Sequence, residues 1–340
     1  MSRCAVGIDL GGTNVRAAVV REDGTLAGPR IHRPSLAMEG TDATIQAIAG
    51  VVLDAVAHSD EKPTAAGMAV PGRVDDALGM VVWSPNFGTK VDGRWRIWRD
   101  VLLRPELERL CGMEFHLGND ANLAALGEYK FGSGQNSAAC LALFTMGTGI
   151  GFGCVMGPQS VQGDARGPLM LVGGNKGGGE FGHTVIAAGG MDCSSGEYGS
   201  IEAYCSKDAI VRRARRKLDR GRDSIIIDWC DGHFEKVSPR MLGQAAEEGD
   251  ELAIEVWREI GTYLGIGIGN AINIFAPDVV AVGGQVAKAG RWLIEPAIAS
   301  ARETATPPLF QDAKIGLATL IEDAGILGGA ALALESIAGR

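Results

Sequence analysis

Short apolar runs that stop at glycine or polar residues alternate along this chain with longer segments of helical periodicity. Near the N-terminus, an apolar run reaches Asp9, crosses a glycine-rich turn at 11–13 and resumes at 15–20. This pattern predicts a β-hairpin. A similar pattern returns at 138–156, where an apolar run leads into a second glycine-rich turn at 147–149. The sequence therefore predicts two hairpins of the same kind.

The remaining patterns predict strands that alternate with helices. Residues 42–58 place Ile45, Ile48 and Val52 on one helical face, and the apolar run 65–70 predicts a buried strand. Further predicted elements are a strand at 114–117, a helix at 121–130, helices between about 201 and 275, a strand at 279–282 and a last helix at about 324–338. This alternation favours an α/β fold.

Two segments depart from the alternation. Residues 82–98 are polar, carry tryptophans and include Asn86. Residues 157–179 are rich in glycine and irregular, which predicts a mobile loop.

The composition excludes several classes of protein. Hydrophobic residues make up 46% and charged residues 21%, as in ordinary globular proteins. The net charge of −9 argues against nucleic acid as the main partner, because binding to a phosphate backbone needs a basic face. Since no apolar stretch reaches the ~20 residues that span a bilayer, we expect no membrane partner. The start of the chain leads straight into a strand and the seven cysteines suit reduced thiols, so we expect no signal peptide and a cytoplasmic location.

The two glycine-rich turns are a candidate phosphate site. Glycine lets backbone N–H groups approach a phosphate closely, and the carboxylate of Asp9 is a suitable ligand for magnesium. Both turns could instead serve hairpin geometry alone. A carboxylate and hydroxyl groups beside the turns favour the phosphate interpretation.

A set of motifs occurs in order along nearly the whole chain: residues 9–13, Pro71, Gly72, Asn86, residues 118–122, 147–151 and 179–183, Gly196, Gly199, Glu202, Pro277, Asp278, Gly283 and Gly284. This ordered set resembles the ROK family of bacterial sugar kinases, within the actin-like ATPase superfamily. ROK repressors carry a DNA-binding helix-turn-helix before this core. The core starts here at residue 5, so the resemblance is to the kinases.

The resemblance implies a fold and a division of the chain. We expect two ribonuclease-H-like domains of the actin-like ATPase type with an interdomain cleft. The smaller, N-terminal domain would comprise residues 1–119 and the C-terminal helix at about 324–340, and the larger domain residues 120–323. The family also implies a homodimer.

The resemblance further implies ATP-dependent phosphorylation of a hexose at its 6-hydroxyl, with glucose as the first expectation. Asp120 would accept the proton of that hydroxyl. The residues expected at the nucleotide and its phosphates are Asp9, Gly11, Gly12, Thr13, Gly147, Thr148, Gly149, Gly283 and Gly284, with Asp9 holding Mg²⁺ through water. The residues expected at the sugar are Asn86, Asn119, Asp120, Glu180, His183 and Glu202.

Alternatives remain open for several of these residues. Asp120 could cap a helix that begins at Ala121, and the glycine pair at 283–284 could simply end a strand. Asn86 could be a turn residue, His183 a structural histidine and Glu202 a solvated helix residue. At the level of function, the alternatives are a kinase for N-acetylmannosamine, N-acetylglucosamine, fructose or allose, a non-catalytic sugar-sensing protein, and an actin-like ATPase that acts on a protein partner. The phosphate donor, ATP or polyphosphate, also stays open. The segments 89–98 and 157–179 are longer than is usual in the family, which leaves the sugar open.

The chain departs from the family at a zinc site. Many ROK proteins bind zinc through a histidine and three cysteines in a Cys-x-Cys-Gly-x-x-Gly-Cys-x-Glu segment. This chain keeps Cys193 but has Ser195 and Ser200 at the second and third cysteine positions. Serine hydroxyls replace thiolates poorly as ligands of zinc. We therefore expect no zinc, and a loop held by packing and hydrogen bonds.

Overall fold

The structure is a computed structural model, and it describes residues 3–92, 94–158, 170–173, 177–193 and 195–338, with the side chains of Asn86, Val91 and Met170 left out. The strands are β1 (Cys4–Leu10), β2 (Asn14–Arg21), β3 (Ile31–Pro34), β4 (Ala65–Val70), β5 (Arg73–Asp75), β6 (Met80–Val91), β7 (Arg94–Leu102), β8 (Glu114–Asn119), β9 (Cys140–Met146), β10 (Ile150–Met156), β11 (Met170–Leu171), β12 (Val279–Gly283) and β13 (Lys314–Leu317). The helices are α1 (Thr41–Ala57), α2 (Arg104–Cys111), α3 (Asp120–Phe131), α4 (Ile201–Cys205), α5 (Lys207–Leu218), α6 (Ile226–Trp229), α7 (Pro239–Glu247), α8 (Glu251–Phe275), α9 (Arg291–Thr304), α10 (Pro307–Asp312) and α11 (Ala324–Ala338).

Two five-stranded sheets share one strand order. The first sheet runs β3-β2-β1-β4-β8 and the second runs β11-β10-β9-β12-β13. In the first, β1 pairs antiparallel with β2 and parallel with β4; in the second, β9 pairs parallel with β12. The predicted α/β class and the predicted repetition of one hairpin-led pattern are confirmed.

The chain divides into two compact units. Unit 1 comprises Met1–Ala138, Gly153–Gly179 and Glu322–Arg340, and unit 2 comprises Ala139–Phe152 and Glu180–Ile321. Compact units need not coincide with domains, so the predicted domain boundary after Asn119 stays a prediction.

In unit 1, small residues let α11 lie directly on the first sheet. A Cβ added at Gly7 of β1 would lie 1.9 Å from the carbonyl oxygen of Ile326, and one added at Gly67 of β4 would lie 1.9 Å from that of Gly329. The sheet and helix therefore touch backbone to backbone, which only glycine permits here. The C-terminal helix thus belongs to the packed core around Asp9.

In unit 2, the long helix α8 packs against α9 through a row of glycines. Gly261, Gly265 and Gly269 face α9, and an added Cβ at Gly265 would lie 2.4 Å from the carbonyl oxygen of Ala297. Residues spaced by four lie on one helical face, so the row forms a groove that receives α9.

Two segments differ from their sequence-based description. Residues 82–98 form most of the β6–β7 hairpin in a three-stranded sheet with β5, although their polar composition gave no strand signal. The predicted loop at 157–179 falls largely on residues 159–169 and 174–176, outside the described residues.

None of the seven cysteines, all of which the structure describes, forms a disulfide. Across the described ranges, every helix is too short or too polar to cross a lipid bilayer.

Candidate functional site

Asp9 lies near the end of β1 in unit 1. Its carboxylate Oδ2 forms an ion pair with Arg16, which stands opposite it on β2. The start of α11 also approaches Asp9, because a Cβ added at Gly325 would lie 2.6 Å from its Cγ. Arg16 therefore fixes one carboxylate oxygen of Asp9. A carboxylate is the kind of group through which proteins bind magnesium, often by way of water.

The turn after β1 is tight and well bonded. The N–H of Gly11 donates to the carbonyl oxygen of Asn14 at 2.9 Å, and the carbonyl of Thr13 accepts the N–H of Ser35 at 2.9 Å. Gly12 and Thr13 are exposed. The backbone at the tip of this turn is therefore accessible to a ligand, while the two hydrogen bonds hold the turn in place.

Asn119, and not Asp120, caps α3. Its Oδ1 accepts the N–H of Asn122 at 3.1 Å, and its Nδ2 donates to the carbonyl oxygen of Gly72 at 3.0 Å. The alternative in which Asp120 caps a helix beginning at Ala121 is thereby wrong, because the helix begins at Asp120 itself. Asp120 thus stands in the first turn of a helix, where a negative charge is stabilised, and its Oδ1 accepts the N–H of Ala121 at 2.9 Å.

In unit 2, Glu202 lies against the second glycine-rich turn. Its Oε2 accepts the N–H of Ile150 at 2.9 Å. A Cβ added at Gly149 would lie 2.5 Å from the same oxygen. Glycine at position 149 therefore makes room for the Glu202 carboxylate, which is a reason that the sequence pattern did not reveal.

An aromatic cluster positions the segment that carries Glu180 and His183. These residues flank or belong to a short 3-10 helix, Phe181–His183. The buried ring of Phe181 stacks on Phe152, with centroids 4.8 Å apart, and Phe152 stacks on Phe275 at 5.8 Å. The two polar side chains therefore project from a backbone anchored in the core of unit 2.

His183 meets residues of the segment in which two cysteines are replaced. Its Nδ1 lies 3.2 Å from Oγ of Ser195, and Ser195 Oγ lies 3.0 Å from Sγ of Cys193. The thiol of Cys193 donates to Oε1 of Glu202 at 3.4 Å. Ser200, at the other replaced position, caps α4 by accepting the N–H of Ala203 at 3.3 Å.

Two carboxyl groups beside this cluster have shifted pKa values. Partial burial raises the pKa of Glu180, which nearby Glu202 also raises and His183 lowers. A hydrogen bond from Ser195 holds the pKa of Glu197 below its ordinary value. Burial therefore disfavours the charged form of Glu180.

The same cluster contains a candidate set of metal ligands. The ligand atoms of His183, Cys193 and Glu202 all lie within 4.8 Å of one another, so the sequence analysis missed a third potential ligand in Glu202. A structural zinc site needs four good ligands in a tetrahedron. Among the described residues, no fourth His, Cys, Asp or Glu joins this set. The hydroxyl of Ser195 lies beside it, and one oxygen of Glu202 already binds the N–H of Ile150. The set therefore does not fit the closed zinc site implied by the family.

A cavity of about 900 Å³ opens in unit 2 beside Gly147 and Thr148. Its other lining residues are Lys207, Ser238, Pro239, Arg240, Gly243, Gln244, Glu247, Gln285, Val286, Lys288 and Ala289. Three of these side chains are cationic, and the N–H of Lys207 donates to the carbonyl oxygen of Gly147 at 2.9 Å. An electropositive cavity joined to a glycine-rich turn suits a phosphorylated ligand.

Sequence analysis missed Lys207, Arg240 and Lys288. Lys207 follows the helix cap Ser206, and that Ser–Lys pair at the start of α5 is a local signal that could have found it. The other two lie on α7 and on the 3-10 helix Gln285–Ala289, and no local pattern indicates that these elements face one cavity.

The remaining predicted residues are placed as follows. Gly284 has φ of 85° and packs on β9, since an added Cβ would lie 2.3 Å from the carbonyl oxygen of Met146. Gly283 ends β12 just before it. Neither lines the 900 Å³ cavity. The side chain of Asn86 lies outside the described residues.

Comparison with known proteins identifies the family. The family model "ROK family" matches residues 5–336. Glucokinase of Thermotoga maritima is 34% identical over 334 residues, covering 98% of both chains. The crystal structure of a ROK family glucokinase from Streptomyces griseus in complex with glucose and AMPPNP is 28% identical, with a TM-score of 0.76, and covers 98% of this chain and 99% of that one.

Repressors are also among the relatives. The xylose repressor of Caldicellulosiruptor bescii is 26% identical, and the match covers 80% of this chain and 62% of the repressor.

The chain has the actin-like ATPase fold that the ROK sugar kinases share. It belongs to the ROK family.

Proposed function

We propose that this protein is an ATP-dependent sugar kinase that phosphorylates a hexose at its 6-hydroxyl, with glucose as the first candidate. The observation that carries the proposal is the carboxylate of Asp120 in the first turn of α3. Glucokinase relatives that match nearly the full chain support it. A non-catalytic sugar sensor would have no use for a base at this position.

The chemistry assigns distinct tasks to the residues of this chain. Asp120 accepts the proton of the 6-hydroxyl as that oxygen attacks the γ-phosphorus in line, while the bond between the γ-phosphorus and the bridging oxygen breaks and ADP leaves. Asp9, whose Oδ2 is kept in place by Arg16, would hold Mg²⁺ through water. Magnesium, when bound, neutralises the charge of the transferred phosphoryl group.

The donor nucleotide would occupy the electropositive cavity of unit 2. The turn at Gly147 and Thr148 would face its phosphates, and Lys207 would supply a positive charge beside that turn. The remaining volume, lined by neutral residues such as Gln244 and Val286, is large enough for a nucleoside.

The sugar would bind to amide, carboxylate and imidazole groups. Asn119, Glu180, His183 and Glu202 offer both donors and acceptors for vicinal hydroxyls. Asn119 already uses Oδ1 and one N–H of Nδ2 within unit 1, so it would contribute its second N–H. The expected homodimer and cytoplasmic location stay predictions.

A panel of sugars tests the proposal. Initial rates of ADP release would be measured with ATP, Mg²⁺ and each of glucose, N-acetylmannosamine, N-acetylglucosamine, fructose and allose. We expect the largest kcat/KM for glucose. The largest value for another sugar would transfer the assignment to that sugar, and the absence of sugar-dependent ADP release throughout would favour the sensor.

A further inference from the structure

An uninterrupted chain of polar contacts runs from His183 to the second glycine-rich turn. It passes from His183 Nδ1 to Ser195 Oγ (3.2 Å), to Cys193 Sγ (3.0 Å), to Glu202 Oε1 (3.4 Å), and Glu202 Oε2 then accepts the N–H of Ile150 (2.9 Å). Cys193 is only 5% exposed. Water competes little at this buried thiol, so the polarity of its hydrogen bonds follows from the groups themselves.

The donor and acceptor of each hydrogen bond can be assigned by starting at Glu202. An ionised carboxylate only accepts hydrogen bonds, so the thiol of Cys193 donates its single proton to Oε1 of Glu202. The Sγ atom has no further proton and must act as an acceptor towards Ser195. The single hydroxyl proton of Ser195 therefore has an acceptor in Sγ.

The hydroxyl oxygen of Ser195 consequently faces His183 as an acceptor. Glu197 reinforces this polarity, because its Oε2 lies 3.7 Å from the same Nδ1 atom. The oxygen of Ser195 is thus an acceptor at hydrogen-bond distance from Nδ1, and the negative charge of Glu197 lies just beyond it. In a neutral imidazole, a proton on Nδ1 leaves Nε2 with a lone pair.

We propose that this hydrogen-bond chain holds His183 as its Nδ1–H tautomer, so that Nε2 accepts a hydrogen bond from a substrate hydroxyl, and that Ser195 is the positioning residue. That the bound hydroxyl belongs to a sugar rests on the proposed function, whereas the tautomer of His183 does not. These hydrogen bonds take the place of the metal that the family implies, because the hydroxyl of Ser195 bridges the imidazole of His183 and the thiol of Cys193.

The tautomer can be measured without substrate. Protein labelled with ¹⁵N-histidine would be studied by long-range ¹H–¹⁵N correlation at pH about 8, above the ordinary pKa of histidine of about 6.5. The signals of His183 are assigned by their loss in His183→Gln. We expect a protonated Nδ1 and an unprotonated Nε2; a protonated Nε2 with a bare Nδ1 would overturn the proposal.

Variants test the role of Ser195. In Ser195→Ala the nearer acceptor is lost and Glu197 remains beyond hydrogen-bond distance, so we expect a mixture of tautomers, with rescue by Ser195→Thr. The matched control is Ser300→Ala, which removes another hydroxyl of unit 2, one that donates to the carbonyl oxygen of Thr262 at 2.8 Å and lies outside the cavity lining. An unchanged tautomer in Ser195→Ala would remove Ser195 from the positioning role.

Kinetics and metal analysis complete the test. Ser195→Ala should raise KM for the sugar about 3- to 10-fold, the range of one lost hydrogen bond, with kcat within about 2-fold.

Purified wild-type protein should hold far less than one zinc per chain, and a chelator should leave the His183 signals unchanged. Stoichiometric zinc whose removal shifts those signals would show a metal site instead. Failure of the sugar kinase proposal would abolish the kinetic result but leave the NMR result standing.

Discussion

Asp120 owes its position to its neighbour. Asn119 caps α3 with Oδ1 and ties the end of β8 to Gly72 with Nδ2. The carboxylate that follows is therefore fixed at a strand–helix junction without serving as the cap itself. The sequence contained this constellation, but not which of two adjacent residues would cap the helix, because asparagine and aspartate are equally good caps.

The first prediction concerns that carboxylate. Asp120→Asn removes the proton acceptor while keeping the size of the side chain and the cap at Asn119. We expect sugar binding to persist and kcat to fall by ~10²–10⁴. Steady-state kinetics and a sugar titration measure the two effects separately. A kcat within a few-fold of wild type would exclude Asp120 as the base.

The second prediction concerns the room left for Glu202. In Gly149→Ala the new Cβ would lie 2.5 Å from Oε2 of Glu202, so the flexible carboxylate must move away from the N–H of Ile150. We expect KM for the sugar to rise several-fold while the protein stays folded. Gly316→Ala in β13 is the matched control, since its added Cβ meets nothing within 4 Å. Equal effects of the two substitutions would contradict the account.

At the scale of elements, sequence periodicity predicted the central strands and helices well. The apolar run 65–70 is β4 and the predicted last helix at 324–338 is α11, because both are buried and their patterns report that burial directly. The β6–β7 hairpin was missed, since arginines and an exposed face conceal its alternation. The cavity cations were missed for a different reason: they converge from three elements, and convergence is a tertiary property.

One carboxylate ties several elements of unit 1 together. Asp76, between β5 and β6, accepts the N–H of Leu117 in β8 at 2.7 Å and forms an ion pair with Arg104 at the start of α2. Burial alone would raise its pKa, but hydrogen bonds from His116 and Leu117 and the charge of Arg104 outweigh burial and hold the pKa of Asp76 below its ordinary value.

The third prediction is the pH dependence of that interaction. A carboxyl group whose pKa is lowered by folding adds stability above its unfolded pKa of about 3.9, and that stability is lost as pH falls through the folded pKa. Asp76→Asn should therefore lower the free energy of unfolding near neutral pH by about 1–3 kcal/mol. The gap between variant and wild type should close under acid conditions. Denaturant titrations across pH measure it, and a gap independent of pH would contradict the charge argument.

At the scale of the whole molecule, the repeated strand order explains why one chain contains two glycine-rich turns. Each turn joins the two strands of a five-stranded sheet that come first along the chain, β1 and β2 in one sheet and β9 and β10 in the other. The candidate residues divide between the units accordingly, with Asp9, Asn119 and Asp120 in unit 1 and Glu180, His183 and Glu202 in unit 2. Sequence analysis could predict this duplication because the motif is local, whereas the choice of sugar depends on how side chains from separate elements converge, which is a tertiary property.

The fourth prediction uses binding to the folded protein as a whole. A ligand that binds only the native state at about 100 times its Kd adds about 2.7 kcal/mol to the free energy of unfolding. We expect glucose to raise Tm in a concentration-dependent way, measured by calorimetry. Stabilisation by an N-acetylated hexosamine or a ketose, with none by glucose, would identify a different substrate.

The most direct test of the central claim is the product itself. The protein would be incubated with ATP, Mg²⁺ and glucose, with ³¹P NMR to identify the phosphorylated sugar and a parallel assay for ADP. The account predicts one hexose phosphorylated at its 6-hydroxyl for each ADP formed, and loss of this product in Asp120→Asn. Phosphorylation at another hydroxyl, or ADP release without a phosphorylated sugar, would contradict it.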